Sequence, residues 1–503
     1  MNFNLISLTS YFVLGVICWL TYKLYIWPYY ISPLRKLPGP PSESIFYGSF
    51  KNFFVDEAGE PYVRWAKQYG NFVKYHGYLN KPVIMVTDLK IIQEIFTNQV
   101  YDFVKPKLMM GDFSSVIGQG LVLVEGDTHK RQRKMMNPAF IHNNIKNMIP
   151  TFVNVAFTLK SLIENKINKG ETKIKICRYI SKTTLDVIGL VGFNHEFNSL
   201  TSPSELAEAY ESIMSVKITT LTIILSVLSG YFPFIRRIPI AINKNFNNSC
   251  KVIERESKRL IDEKYHADKN NKLDGNDLLT LLIKINKTLP NDEKMTDDEL
   301  KYQIMTFLFA GHETTSNATS CALFLLAQHP YEQDLLREEL VKAFPNKSKF
   351  SPTFDEINSL EYLNCIIKEI LRLTPPSVVI FRTSFEDKVI AGHFIPKDTQ
   401  IDIPIVALNR LPSIWGPTAD EFVPKRWLDP SLIITNYNYL TFSTGNRACI
   451  GNKLALNEFK ILLSMLVRNF VFQPVEGLNI KKKPGFLTKL DPYLELNVSK
   501  VEV

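Results

Sequence analysis

The stretch "FSTGNRACIG", residues 442–451, holds a single cysteine, Cys449, between two glycines and two residues after an arginine. The sequence that follows, "NKLALNEFKILLSMLVRNF", has the apolar spacing of a helix, so we expect Cys449 at a helix N-terminus. Backbone N–H groups and the helix dipole stabilise a thiolate at that position. Gly445 and Gly451 permit unusual backbone angles and the close approach of a flat ligand. A lone cysteine with an open opposite side suits an iron carried by a macrocycle, and the alternative is a buried structural thiol.

The composition indicates a large folded chain. Of its 503 residues 45% are hydrophobic, and the net charge of +9 is spread along the sequence. This diffuse excess fits an anionic membrane surface or an acidic protein partner, and it predicts no nucleic-acid binding. The six cysteines are far apart and form no CxxC pair, which argues against a disulfide framework and a zinc site. We expect a reducing compartment, with the five cysteines other than Cys449 acting as small buried hydrophobes.

The N-terminal region has the properties of a membrane anchor. Residues 5–20, "LISLTSYFVLGVICWL", carry no charge and are followed by an aromatic belt. Together they supply the roughly 20 apolar residues of a spanning helix. Lys23, Arg35 and Lys36 follow the span, which predicts a cytosolic location for the rest of the chain. A cleaved signal peptide is the alternative, but the start is not basic.

The remaining sequence is mainly α with a small β region. Two short strands are expected within 72–87 and more within 388–406, whereas most of 140–375 has helical periodicity. The apolar stretch 216–240 predicts either a buried core helix or a second surface that touches the membrane. The chain therefore divides into an anchor at 1–30, a basic and proline-rich hinge at 31–45, and one large domain at 46–503.

The cysteine loop matches all five fixed positions of Phe-x-x-Gly-x-Arg-x-Cys-x-Gly. It thus resembles the haem-ligand loop of the cytochrome P-450 family, the haem-thiolate monooxygenases. The resemblance implies that Cys449 binds the iron of haem b. It also implies that Phe442, Gly445, Arg447 and Gly451 shape the cofactor site, with Phe442 shielding the sulfur and Arg447 pairing with an acidic group of the haem.

Other motifs of that family follow in the expected order. The stretch "AGHETT", 310–315, lies in a helix whose "TDDE" capping box begins at Thr296. The resemblance assigns Thr314 to a hydrogen bond with dioxygen and Glu313 to proton relay. A close helix crossing lined by small residues is the alternative. In "KEILR", Glu369 and Arg372 share a helix face, and with Arg426 they resemble the family's structural triad.

Three further residues resemble the family's haem-propionate ligands. His129 and Arg133 have the i, i+4 spacing of its motif, with histidine in place of the usual tryptophan, and Arg382 follows the Glu-x-x-Arg helix. The basic cluster around His129 is also a candidate docking surface for an acidic reductase. The candidate substrate pocket consists of aromatic and aliphatic side chains: Phe113, Val116, Phe307, Ala310, Val379, Ile380 and Phe486.

The resemblance implies a mainly α haem domain with a small β region, an N-terminal transmembrane helix, and haem b between the 310–315 helix and the Cys449 loop. It implies a monooxygenase that inserts one oxygen atom from dioxygen into a lipophilic substrate. The sequence contains no flavin or dinucleotide fingerprint, so electrons are expected from NADPH through a separate flavoprotein reductase, with cytochrome b5 as a further candidate partner. The expected location is the endoplasmic reticulum membrane, with a single pass and a cytosolic catalytic domain. A reductase-independent isomerase or dehydratase of oxygenated lipids and a non-catalytic haem-binding protein are the competing interpretations.

Overall fold

The computed structural model describes residues 2–107, 111–216, 219–346, 349–485 and 487–501. It is mainly helical, as the sequence predicts. Within these ranges the α-helices are α1 Asn2–Thr21, α2 Phe50–Val55, α3 Glu60–Tyr69, α4 Leu89–Gln93, α5 Asp112–Ile117, α6 Gly126–Met136, α7 His142–Asn168, α8 Ile176–Phe193, α9 Glu205–Met214, α10 Thr220–Tyr231, α11 Ala241–Lys269, α12 Leu278–Thr288, α13 Asp297–Gln328, α14 Pro330–Ala343, α15 Phe354–Ser359, α16 Glu361–Leu373, α17 Ile405–Leu408, α18 Pro412–Trp415 and α19 Asn452–Asn469.

The strands of the described residues form one five-stranded sheet and three small ones. Their bounds are β1 Phe72–His76, β2 Pro82–Val86, β3 Phe103–Val104, β4 Lys173–Lys175, β5 Ile380–Ser384, β6 Lys388–Ile390, β7 His393–Ile395, β8 Gln400–Ile403, β9 Phe470–Pro474, β10 Lys481–Lys483, β11 Lys489–Asp491 and β12 Glu495–Lys500. The largest sheet has the order β1-β2-β8-β5-β3, and the strands expected within 72–87 and 388–406 are confirmed. The smaller sheets are β4-β12-β9, β10-β11 and β6-β7.

Two hydrophobic cores hold these elements together. The larger lies among the long helices and includes the inner faces of α7, α8, α13, α16 and α19. The smaller lies between the five-stranded sheet and helices α3, α4 and α17. Helix α13 runs through the larger core, and its expected capping box is confirmed: the Thr296 hydroxyl accepts from the Glu299 N–H, and the Glu299 carboxylate accepts from the Thr296 N–H at 2.9 Å.

Gly311 allows α13 to cross α8 at close range. A Cβ atom at this position would lie 2.6 Å from the Cδ1 atom of Ile188, well inside van der Waals contact. The Thr184 hydroxyl of α8 also donates to the His312 carbonyl at 3.0 Å. Gly311 therefore lies at a tight crossing of α13 and α8. This agrees with the alternative interpretation of the 310–315 motif, a close helix crossing lined by small residues.

One helix of the described residues, Ser7–Ile31, is long and apolar enough to cross a membrane. Its last part, Tyr22–Ile31, is π-helical and contacts the β1–β2 hairpin. The Asn80 side-chain amide donates to the Leu24 carbonyl at 2.7 Å, and the Tyr29 ring lies 5.3 Å from that of His76. The helix is thus joined to the sheet of the large domain.

The segment 216–240 is not a buried core helix. Helix α10 and the 3-10 turn Pro233–Arg237 expose a set of large apolar side chains: Leu221, Ile224, Leu228, Phe232, Phe234 and Ile238. We call this set the α10 apolar face. The inner side of α10 buries Leu225 and Ser229. The buried-core interpretation is therefore wrong, and the interpretation as an exposed apolar surface stands.

Candidate functional site

The Cys449 loop is a tight turn that leads into α19. The Cys449 N–H donates to the Phe442 carbonyl at 2.8 Å and closes the turn. Gly445 has φ +68°, and a Cβ there would lie 2.5 Å from the Phe96 carbonyl oxygen, so only glycine fits. Gly451 has an ordinary φ of −88°, and the expectation of an unusual angle there is wrong. A Cβ at Gly451 would meet no atom of the described residues within 4 Å, which leaves open space beside the cysteine.

The Cys449 side chain is accessible to solvent, although many protein atoms lie around it. Burial raises the pKa of its thiol, while the Gly451 N–H and the Arg133 guanidinium act in the opposite direction. The Arg133 Nη1 donates to the Ala448 carbonyl at 2.6 Å. The loop thus carries an accessible thiol with an N–H group and a cation directed at it, and both favour the thiolate.

The other five cysteines are unpaired in the described part of the chain. Cys321 and Cys365 are buried, and Cys177 and Cys250 are half-buried. Cys18 is exposed on the N-terminal apolar helix. The expectation of five buried cysteines is therefore wrong for Cys18, because the N-terminal apolar helix presents its side chains outward instead of into a protein core.

A cluster of cations lies beside the Cys449 loop. Arg447 forms a two-pronged ion pair with Glu125, one bond of which is 2.8 Å long. The Lys105 Nζ lies 3.6 Å from the same carboxylate. Burial lowers the pKa of Lys105 to about 7, against the attraction of Glu125. Burial acts to raise the pKa of Glu125, but Lys105 and Arg447 outweigh it and the pKa is lowered.

Arg382 adds a further buried cation to this cluster. Burial lowers its pKa to about 10, and the neighbouring Arg447 contributes. Its Nη1 donates to the carbonyl of the preceding residue at 2.8 Å. The Nε of Arg447 is buried and has no hydrogen-bond partner among the described residues. With Lys105, three basic side chains face the single carboxylate of Glu125, so the cluster fits a ligand that brings negative charge, as the two carboxylates of a haem do.

Lys105 and Glu125 were not identified from the sequence. Neither belongs to a spaced motif, and the Glu125–Arg447 pair joins residues 322 positions apart. The sequence signal for them is weak, because Lys105 is one basic residue among many and Glu125 is a single acidic residue four positions before His129.

On helix α6, His129 and Arg133 contact different neighbours. His129 is buried, with its Nδ1 3.2 Å from the Tyr101 hydroxyl. Burial and the nearby Lys105 lower the pKa of His129 to about 4, so the ring is neutral at physiological pH. It lies in the cation cluster, whereas Arg133 contacts the Cys449 loop. Both therefore border the expected cofactor site.

On α13, Thr314 and Glu313 face different surroundings. The Thr314 hydroxyl donates to the Ala310 carbonyl at 2.8 Å. The Glu313 carboxylate lies 3.2 Å from the His312 Nε2 and lines a solvent-open cavity between α8, α9, α13 and β11, together with Lys489. Burial acts to raise the pKa of Glu313, but His312 and Lys489 outweigh it and the pKa is lowered. A carboxylate is thus held at a solvent-open cavity next to Thr314.

Glu369, Arg372 and Arg426 form one buried network. Glu369 and Arg372 are fully buried and share two bonds of 2.8 Å. Arg426 donates its Nε–H to the Glu369 carboxylate at 2.9 Å. The Trp427 Nε1–H, which the sequence did not reveal, donates to the same carboxylate at 3.0 Å. These contacts satisfy the charge of Glu369 and join α16 to the turn at 424–428.

The candidate pocket residues do not form one group. Phe113 of α5 packs edge-on to Phe309 of α13, at 5.4 Å between ring centroids. Phe307 packs on Phe140 within the larger core, which favours a structural role. Val116 is fully buried, Ala310 accepts the Thr314 bond, and Val379 and Ile380 pack on the smaller core. Phe486 lies outside the described residues.

Comparison with known proteins identifies the family. The family model for cytochrome P450 matches residues 38–496. Cytochrome P450 monooxygenase 205 of Postia placenta is 36% identical over 477 residues, which cover 88% of this chain and 87% of that protein. Cytochrome P450 monooxygenase sphH of Aspergillus fumigatus is 31% identical over 500 residues, covering 94% of this chain and 91% of that protein. The chain therefore belongs to the cytochrome P450 family and is an oxidoreductase of the monooxygenase type, whose family implies a haem with a thiolate ligand.

Proposed function

We propose that this chain inserts one oxygen atom from dioxygen into a lipophilic substrate, with electrons from NADPH delivered by a separate flavoprotein reductase. The observation that carries the proposal is the accessible Cys449 thiol beside a buried cluster of cations that one carboxylate does not balance. Haem b is the cofactor that joins these two features, because it combines an iron for the thiolate with two carboxylates for the cations.

In this proposal Cys449 binds the iron, and Arg382, Arg447 and Lys105 hold the two carboxylates. The thiolate-bound haem supplies the activation of dioxygen. The neutral His129 offers a hydrogen bond at the edge of the same cluster, and Arg133 keeps the Cys449 loop in place through the Ala448 carbonyl. Gly451 leaves the space that a flat ring needs.

Proton supply is the proposed role of Glu313 and Thr314. The cavity beside Glu313 opens to solvent, so its carboxylate would take up a proton from water and pass it to the Thr314 oxygen. The proton already on that oxygen would leave toward dioxygen in the haem site. The Ala310 carbonyl accepts the hydrogen of Thr314 and fixes the direction of the hydroxyl oxygen. A general acid of this kind accelerates proton transfer by roughly 10²–10⁴-fold.

The proposal of a separate reductase rests on membership of the cytochrome P450 family and on the absence of a flavin fingerprint in the sequence. Of the basic cluster on α6, Lys130 pairs with Asp127, Arg131 with Glu299 and Lys134 with Glu293. These three cations are balanced within the chain, which weakens the expectation that they alone attract an acidic partner. Cytochrome b5 remains a second candidate donor on the same grounds as the reductase.

We further propose attachment to the endoplasmic reticulum membrane through Ser7–Ile31, with the α10 apolar face as a second contact. Ser7–Ile31 is long and apolar enough to span a bilayer, and the α10 apolar face exposes large apolar side chains that lipid can cover. Vesicle flotation of the full chain and of a chain without residues 2–21 tests this. We expect weaker but measurable flotation of the shortened chain, and no flotation of either would contradict the proposal.

Turnover tests the proposed activity. The haem-loaded protein is mixed with reductase, NADPH and dioxygen, and a panel of sterols, fatty acids and terpenoids is first screened by the spin-state shift of the haem. We expect a product with one added oxygen that requires all three components. Conversion of an oxygenated lipid without reductase indicates the isomerase interpretation instead. Haem binding without conversion of any compound that shifts the spin state indicates a haem-binding protein.

A further inference from the structure

His312, the residue that precedes Glu313 on α13, has a ring that is held in one orientation. The side chain is almost completely buried, and its ring centroid lies 4.9 Å from that of Tyr210 on α9. The His312 Nδ1 lies 3.2 Å from the Leu308 carbonyl oxygen, one turn earlier on the same helix. A carbonyl oxygen only accepts hydrogen bonds, so Nδ1 carries a proton and is the donor of this bond.

The other ring nitrogen of His312, Nε2, faces two polar groups at once. It lies 3.2 Å from the Ser181 hydroxyl oxygen of α8 and 3.2 Å from the Glu313 Oε1. Since Nδ1 holds the proton of a neutral imidazole, Nε2 of such a ring has only a lone pair. That lone pair accepts a bond from Ser181 but repels the carboxylate. The approach of Glu313 therefore requires one more proton, which Nε2 and Oε1 share.

The charges around this pair place the shared proton on the imidazole. Burial acts to raise the pKa of Glu313, but the attraction of His312, with a further contribution from Lys489, outweighs it and the pKa is lowered. A carboxyl group of this kind is ionised at neutral pH, so it has no proton of its own to deliver. The charged and titratable groups of the surrounding elements are Cys177, Arg178 and Lys182 of α8, Tyr210 and Glu211 of α9, Lys489 of β11 and Tyr493.

The His312–Glu313 pair has a route to solvent. Ser181 and Glu313 both line the solvent-open cavity between α8, α9, α13 and β11, whereas His312 is buried behind them. The Ser181 hydroxyl thus joins the cavity to the imidazole Nε2. The other acid of the cavity wall, Glu211, is paired with Arg178 at 3.5 Å, which leaves Glu313 as the carboxylate that receives a proton from His312.

We propose that His312 stores the proton that Glu313 delivers, as an imidazolium bonded to the Glu313 carboxylate. The inference rests on the proposed function, in which Glu313 passes protons on. In the transfer, the Nε2–H bond of His312 breaks and an O–H bond forms on the Glu313 Oε1. When Glu313 has delivered this proton, Nε2 takes the hydroxyl proton of Ser181, and the Ser181 oxygen takes one from a hydronium ion of the cavity. One solvent proton enters for each proton delivered. His312 is a positioning residue, because it acts only through Glu313.

Nitrogen NMR of the protein labelled with ¹⁵N-histidine tests the shared proton without turnover. The sample is the reduced, carbon monoxide-bound haem protein, and His312→Gln identifies the signals of this ring. We expect an imidazolium at pH 7.5, with both ring nitrogens protonated, that becomes a neutral imidazole in Glu313→Gln. A neutral ring in the wild type, or an imidazolium that persists in Glu313→Gln, overturns the proposal.

Coupled turnover with reductase and NADPH tests the proton supply. His312→Gln keeps an N–H donor for the Glu313 carboxylate but has no titratable proton. We therefore expect product formation to fall about tenfold and hydrogen peroxide to rise. The wild-type rate should fall as the pH rises from 7 to 9, because the stored proton is lost, whereas the rate of His312→Gln should stay low and flat. A purely structural role would be restored by glutamine.

His329→Gln is the matched control for this variant. It removes the same kind of bond at the end of α13, from the His329 Nδ1 to the Leu325 carbonyl at 2.8 Å, and should leave product formation unchanged. Wild-type product formation in His312→Gln, or an equal fall in His329→Gln, overturns the inference. Wild-type product formation in Glu313→Gln contradicts instead the proposed role of Glu313, so the two failures are distinguishable. The carbon monoxide spectrum of each variant checks that it is folded and holds haem.

Discussion

Asp112 and Arg236 form a buried, two-pronged ion pair that joins α5 to the turn after α10. The bond from the Arg236 Nε is 2.8 Å long, and the Ser229 hydroxyl donates to the same carboxylate at 2.8 Å. Helix α5 also carries Phe113, which packs on α13. The pair therefore connects a wall of the candidate pocket to the segment that bears the α10 apolar face.

Asp112→Asn should loosen this connection, because it leaves the half-buried Arg236 without its counter-charge. We expect the free energy of local opening to fall by about 2 kcal/mol, which is a roughly 30-fold faster hydrogen exchange across 219–240. A bulky azole should then bind the haem faster, while imidazole should bind at an unchanged rate.

Glu205→Gln is the matched control for this variant. The Glu205–Arg255 pair lies on α9 and α11 with both side chains more than half exposed, so its loss should cost less than 1 kcal/mol. Equal exchange rates in Asp112→Asn and Glu205→Gln contradict the connection.

The Glu369–Arg372 network should be sensitive to the shape of the cation. Arg372→Lys keeps the charge but loses the fork that bonds both carboxylate oxygens, and with it donors to the Asn409 and Ala419 carbonyls. We expect a loss of about 3 kcal/mol in the free energy of unfolding and faster loss of haem on warming. Lys130→Arg is the control, since its pair with Asp127 has the same i, i+3 spacing but is exposed. Equal urea midpoints in the two variants refute the structural role.

Thr314→Ala should reduce coupled turnover about a hundredfold, with NADPH diverted to hydrogen peroxide. The reason is the loss of the hydroxyl that receives protons next to Glu313. Thr319→Ala removes an equivalent bond on the same helix, from a hydroxyl to the Thr315 carbonyl at 2.8 Å, and should leave the ratio of peroxide to NADPH unchanged. Unchanged turnover in Thr314→Ala favours the isomerase interpretation.

Asp402 should make stability depend on pH. It is fully buried on β8, where the Tyr62 hydroxyl donates to it at 2.6 Å and the Tyr75 hydroxyl donates as well. Burial raises the pKa of Asp402 to about 6, above its value in an unfolded chain. The folded state therefore binds the proton more tightly, and this stabilisation is fully present below about pH 4 and lost as the pH rises through 6.

From pH 5 to 7.5 we expect the wild type to lose about 1 kcal/mol of unfolding free energy relative to Asp402→Asn. Urea unfolding at both pH values measures the difference. Asp398→Asn, exposed on the turn before the same strand, should follow the wild type. A difference between the wild type and Asp402→Asn that does not change with pH contradicts the raised pKa.

Features carried by local sequence were predictable. The Cys449 turn, the Thr296 capping box and the β1–β2 hairpin each depend on residues within fifteen positions of one another, so spacing alone identifies them. The apolar character of the α10 apolar face was predictable, but its exposure was not. Hydropathy is the same for a side chain that points into a core and for one that points outward.

Long-range partners were not predictable. Glu125 meets Arg447 only because the chain brings α6 and the Cys449 loop together, and Lys105 joins them from a third segment. Glu458 of α19 has the spacing of an ordinary helix residue, yet it is fully buried where α19 packs against α13. This burial arises from tertiary packing, which neither propensity nor spacing encodes.

The central claim is that Cys449 is the thiolate ligand of a haem iron. It is tested most directly by the absorption spectrum of the dithionite-reduced protein with and without carbon monoxide, in the wild type, Cys449→Ser and Cys449→His. We expect a strongly red-shifted Soret band in the wild type that is absent in both variants. A folded wild type that binds no haem, or that gives the band of an imidazole-bound haem, contradicts the ligand assignment and the oxygenase function built on it.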